Sequence, residues 1–302
     1  MNQMKFIPFI VGTLLLCAFS TNTLAQLDRS TPPEAGPAPE IQFDKPPSFT
    51  LDNGLEVIVV ENHEMPVVSF QLTVDADPVM EKDPVGYVSA TGSLIRNGTK
   101  NKTKAEIDEA VDFIGADLIT YTNGVYASGI RKHAGNLLEL MSEVIMEPVF
   151  PQEELEKYKK KQISNLTAGK TNPSQISSRV ARRLRYGNHP YGELPTEATI
   201  NNISREKCQD YYNTYYKPNI SYLVMVGDIT QDKARQMAEK HFGSWQKADV
   251  PEHEYDFPSV NNGRRVALVN KEDAVQSVIS ITYPVRLYPG HPDAIQARLM
   301  NN

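Results

Sequence analysis

The chain has 302 residues, 40% hydrophobic and 23% charged, with 17 Gly and 21 Pro. That is the make-up of a globular protein of one large or two ordinary domains, and it excludes a disordered chain, a collagen-like repeat and a multi-span membrane protein. Lys+Arg 31 against Asp+Glu 37 gives a net charge of −6, which offers no electrostatic footprint for a nucleic acid.

Residues 1–25 carry a single charge, Lys5, followed by an apolar run and Thr23-Leu24-Ala25. This reads as a secretory signal peptide cut before Gln26, with an apolar core too short to span a bilayer, and it predicts export across the inner membrane to the periplasm with no membrane attachment afterwards. A lipidated Cys17 is the alternative, set back by the bulky Leu16 before it. Cleavage leaves Cys208 as the only cysteine, so no internal disulfide can form and stability must come from a core. Residues 26–47, rich in Pro and acidic side chains, read as a linker.

Structure is expected from Phe49. A strand, an Asn53-Gly54 turn, an apolar strand over 57–60 and a third over 67–74 follow in order. Thr103 and Glu106 form a capping-box pattern ahead of a helix with Ile107, Val111 and Ile114 on one face. Asn123-Gly124 separates β runs at 118–122 and 125–130. A helix then carries Leu137, Leu138, Met141, Val144 and Ile145 and must end before Pro148. A long polar helix follows Pro151 with Leu155, Tyr158, Gln162 and Leu166 in a stripe, and another places Ile176, Val180 and Leu184 together. Beyond His189-Pro-Tyr-Gly192 come a helix over 204–215, a strand over 222–226 and a helix over 231–242.

These elements imply an α+β fold, an antiparallel sheet covered by helices over residues 48–250. A second unit is expected at 264–302, with strands at 266–269 and 278–283 and a helix from about Pro292. So short a piece rarely builds its own core, so the reading is an incomplete start of a second domain in a truncated chain.

Five segments resemble, in order, the pitrilysin/insulinase (M16) family of zinc peptidases: 49–57, 86–99, 147–156, 189–192 and 211–228. The resemblance implies the M16/LuxS-metallohydrolase-like domain. Active members carry His-x-x-Glu-His on the helix before Gly-Thr. Residues at i and i+4 share a helix face, so two imidazoles can hold one zinc while the Glu serves as general base on a zinc-bound water. A downstream Glu completes the ligand set.

Anchored on Gly98-Thr99, the two histidine positions fall on Ser89 and Ser93 and the base on Gly92, while the downstream glutamate falls at or beside Asn165. Hydroxyls and an amide are poor zinc ligands and none of them is a general base near neutral pH. The chain is therefore expected to hold no cofactor of its own, zinc belonging to an active partner or relative. As a nucleophilic pair, Ser89 and Ser93 lack a nearby base.

Other groups have plainer readings. None of the six histidines starts a metal-binding pair; His63 and His253 read as surface or capping residues, and His189 as part of a turn set by Pro190 and Gly192. The basic runs 157–161 and 182–185 read as solvated helix faces. The resemblance also implies that Leu118, Ile119, Thr120, Tyr121 and Thr122 form the edge strand to which an extended peptide adds; an ordinary core hairpin strand is the competing reading.

The function expected is that of an M16 homologue without a zinc site, the non-catalytic half of a paired secreted metallopeptidase, whose partners are a zinc-bearing M16 subunit or domain and an extended peptide. Two alternatives stand: an active metalloendopeptidase with its site in a missing C-terminal part, or a peptide-binding or assembly subunit with no enzymatic role.

Overall fold

A computed structural model describes residue 36, residues 45–256 and, further on, 263–272, 274–283, 285–288 and 290–301. The expected leader and most of the expected linker lie outside the described residues. Met1–Lys45 and Pro46–Asn302 form separate units, and the fold is that of the second.

Three strands open it, β1 (Ser48–Thr50), β2 (Glu56–Glu61) and β3 (Val67–Val74). Asn53 and Gly54 turn the chain between the first two. Gly54 sits at φ 91, and the buried Asn53 amide donates to the carbonyls of Phe242 and Trp245, tying the turn to a distant helix end. Helices α1 (Tyr87–Leu94) and α2 (Lys104–Phe113) follow, then the hairpin β4 (Asp117–Tyr121) and β5 (Gly124–Ile130). The capping box at Thr103 and Glu106 is formed in full. Next come α3 (Ala134–Met146), α4 (Gln152–Gly169), α5 (Pro173–Tyr186), α6 (Glu197–Asn201) and α7 (Arg205–Tyr215). Strand β6 (Ser221–Gly227), α8 (Gln231–Phe242) and the isolated α9 (Ala294–Met300) complete the order.

The sheet runs β1-β2-β6-β3-β5-β4. Four of its pairings are antiparallel, but β2 and β6 are parallel, from Glu56 opposite Tyr222 to Glu61 opposite Gly227. The sheet is thus mixed rather than wholly antiparallel, because β6 enters after a long helical excursion that can return it in either sense. The layers are those of an α+β domain.

Register and burial divide the sheet into two faces. Val57, Val59, Phe70, Leu72, Val125, Ala127, Leu223 and Met225 are buried beneath the helices. There they meet Leu137, Met141 and Ile145 of α3, Leu94 of α1 and Phe242 of α8 in one hydrophobic cluster. The opposite face carries Ile58, Val60, Ile119, Tyr126, Tyr222, Val224 and Val226, none of them buried.

One expectation fails outright. The strands expected at 266–269 and 278–283 are not formed: Val266 is 81% exposed, Leu268 91% and Ile279 84%. A strand needs an edge to pair with, and these residues reach none. The basic run 182–185 of α5 is an exposed, solvated face, yet guanidinium groups of that helix also hold neighbouring carbonyls. Arg179 donates to the Pro195 carbonyl, Arg182 to that of Tyr191, and Arg183 to those of Gly187 and Gly192. Guanidinium groups near a helix C-terminus find carbonyls left unpaired there and in the loop beyond. Likewise Lys159 is buried, its ammonium on Glu156 and the Asn201 carbonyl. The apolar residues of α5 gain little, since no residue of that helix is buried.

Candidate functional site

Helix α1 holds the motif positions, and a carboxylate sets its start. Gly86, at φ 112, offers no side-chain cap; instead Glu81 accepts from the amides of Gly86 at 2.8 Å and Val88 at 3.1 Å. A negative charge at the positive end of a helix replaces the usual Ser or Asp cap. Burial nevertheless raises the Glu81 carboxyl above its ordinary range. Glu193 in turn accepts from the amides of Glu81 and Lys82, so the segment before α1 is bound to the loop after His189.

Ser89 and Ser93, one turn apart, are both exposed on the same side of α1. Gly92 between them is buried, and a β-carbon there would lie 2.3 Å from the Tyr121 carbonyl oxygen and 2.6 Å from the Thr122 Cα. The end of β4 therefore rests directly on the α1 backbone, and only glycine permits it. The Tyr216 hydroxyl fixes the same corner by donating to the Thr122 carbonyl at 3.1 Å. From α4, the Tyr158 side chain lies near Ser93, and burial pushes its hydroxyl up to about 12. Asn165 stands exposed about two turns further along α4.

This set does not fit zinc. It offers two serine hydroxyls and an amide, none of which binds zinc as imidazole or carboxylate does, and the place for a general base is occupied by backbone. Among the described residues, no three His, Cys, Asp or Glu side chains gather where they could hold a metal.

Beside this helix, β4 is the last strand of the sheet, and among the described residues it pairs with β5 alone. Of the five residues singled out on it, Leu118 is buried, Ile119 is 53% exposed, Thr120 and Tyr121 are half-buried, and Thr122 lies in the turn that follows. Alternate backbone N–H and C=O groups of an unpaired edge point outward, a ladder that an extended chain can complete. Burial, with Tyr126 and Tyr222 nearby, raises the Tyr121 hydroxyl.

The histidines serve local structure. His189 Nδ1 accepts from the Tyr191 amide at 3.1 Å, the turn role its sequence suggests. His253 Nε2 pairs with the Tyr215 hydroxyl at 2.7 Å. His63 sits between Asp228 at 2.7 Å and Glu61 at 3.2 Å. The roles of Glu81, Glu193 and Tyr158 have no local sequence signal; the only hint at Tyr158 is its place on the apolar stripe of α4.

With this geometry in hand, the likenesses to known proteins are specific. The family model described as "Peptidase M16 inactive domain" matches residues 202–302. An uncharacterized zinc protease of Bacillus subtilis, YmxG, is 24% identical over 205 residues, covering 66% of this chain and 50% of its own length. The peptidase M16 inactive domain from Pseudomonas fluorescens superposes with a TM-score of 0.63 at 21% identity, over 71% of this chain and 54% of that one. The first half of the periplasmic protease PqqL from Escherichia coli does so at 0.61 and 18%, over 72% and 49%. The chain spans about half the length of these relatives. The structural likenesses carry the fold, and the sequence matches, one of them to the M16 inactive domain over residues 202–302, are to M16 peptidases and zinc proteases, the family this chain resembles.

Proposed function

We propose that the chain is a non-catalytic half of a paired, secreted M16 peptidase, gripping an extended peptide while a zinc-bearing partner subunit or domain cleaves it. The observation that carries this reading is the contact at Gly92. A general base cannot be placed there while β4 rests on α1, yet the same contact sets an open strand edge beside the motif helix. The chemistry is gone and a peptide-binding edge remains. Strand addition needs only main-chain groups and shallow pockets, so it outlives loss of the metal ligands.

Two further features support pairing. The sheet face away from the helices is apolar along β2 and β6, where a solvated face would alternate to polar residues. The PqqL likeness is to one half of a larger periplasmic protease, in keeping with a periplasmic half here.

The test is direct. The purified chain should carry no stoichiometric zinc by elemental analysis and leave an unfolded peptide intact, with or without chelator. It should also lower the KM of a co-purifying zinc peptidase for that peptide. One tight zinc per chain, or chelator-sensitive cleavage by the chain alone, would overturn the reading.

A further inference from the structure

Away from α1 and β4, helices α2 and α3 leave a groove of about 360 Å³ between them. Its floor is apolar, formed by Ala110, Ile114 and Leu140. Phe113, at the end of α2, stands at its lip with 87% of its surface exposed. A phenylalanine so placed contributes nothing to the core of this chain, while Ile107 and Val111 on the other side of α2 supply its anchorage. Helix α2 thus has a second apolar aspect without an internal partner.

The rim is of one sign. Glu106, Glu109 and Glu139 line the groove, and all three are exposed. Among the described residues that line it, the one cation, Lys102, is already matched by Glu143 at 2.6 Å. A concave apolar floor inside a ring of carboxylates selects by charge as well as by shape: acidic segments are repelled, and a segment offering an apolar side chain flanked by ammonium or guanidinium groups is attracted.

The geometry points to a docking site for a basic, apolar peptide segment of a partner protein in the groove between α2 and α3, with Phe113 as its apolar contact and Glu109 and Glu139 as its charge readers. This site is separate from the β4 edge and does not depend on the peptidase reading.

The probe is a labelled peptide of repeating Lys-Leu-Leu-Lys units, compared with one in which every lysine is glutamate, titrated against the full chain by fluorescence anisotropy at low ionic strength. The basic peptide should bind and the acidic one should not. Glu109→Lys with Glu139→Lys should weaken binding by about tenfold or more, and Phe113→Ser by a similar factor. A control pair, Glu252→Lys with Glu254→Lys, changes the net charge equally on exposed residues elsewhere and should alter binding by less than about twofold. All substituted positions are exposed, so the fold should survive, and circular dichroism checks that it does. Equal loss in the two charge-reversal pairs, no effect of Phe113→Ser, or no binding by the parent chain would each overturn the assignment.

Discussion

The two faces of the sheet are built from the same strands and both carry large apolar residues, the open one with Ser69, Gln71, Thr73 and Ser128 among them, yet those apolar residues behave differently. On the helix side, Phe70, Leu72, Leu223 and Met225 have no measurable exposure. On the other, Val60 and Ile119 keep 40% and 53% of theirs, and the Thr73 hydroxyl is buried without a hydrogen-bond partner. Apolar character therefore does not report which side of a strand is internal. What decides it is whether another layer is at hand to cover it.

That contrast can be tested by substitution. Leu72→Ala, on the covered face of a central strand, should cost about 3 kcal/mol or more in urea unfolding, through lost burial and a cavity. Val224→Ser, on the open face of the neighbouring strand, should stay within about 1 kcal/mol in the isolated chain. A large loss at Val224 would mean that the open face is already internal.

Next in size is Gly92→Glu. The new side chain would meet the Tyr121 carbonyl, and displacing the end of β4 should cost about 2–3 kcal/mol in thermal or urea unfolding, without creating zinc binding. Stability equal to the parent chain would show that β4 can move away from α1. Tyr216→Phe tests the same corner more gently. Loss of the bond to the Thr122 carbonyl should cost about 1 kcal/mol and raise hydrogen exchange in the turn after β4.

The smallest effect lies at the rim of the sheet, where His63 bridges Asp228 and Glu61. The hydrogen bond to Asp228, and after it that to Glu61, raises the His63 pKa above its ordinary 6.5. A raised folded-state value means that the contribution to stability is complete below about 6.5 and fades as pH rises through the folded-state value. Glu61 is shifted the other way, chiefly by the Gln231 amide and then by His63, so its contribution is present above 4.5 and lost as pH falls through its lowered value. Melting temperature against pH should therefore decline slightly as pH rises above about 6.5 in the parent chain, and His63→Gln should flatten that decline.

How far the sequence carried the fold depends on the reach of each signal. Asn53-Gly54, the Thr103 capping box and the Asn123-Gly124 hairpin are decided within a few residues, and all three form where their local chemistry puts them. The parallel pairing of β2 with β6 joins residues more than a hundred positions apart, and nothing local announces it. Segments 266–269 and 278–283 show the converse: they have strand composition, but without a neighbouring edge they form no ladder. At the site, the i, i+4 spacing places Ser89 and Ser93 on one side of α1, since helix geometry alone decides that. The reason position 92 is glycine, the nearness of Tyr158 to Ser93 and the link from Glu193 to the segment before α1 belong to tertiary approach and could be read only there.

The bare backbone at position 92 bears on reversibility. Where an extinct catalyst has merely lost its reactive groups, putting them back one at a time can rebuild it. Here the volume a side chain would need is held by a neighbouring main chain, so every single-step substitution at that residue begins with a penalty in folding before any chemistry is gained. The absence of a side chain at position 92 is thereby guarded by packing, and an engineer seeking to place a carboxylate there would have to rebuild the turn after β4 first.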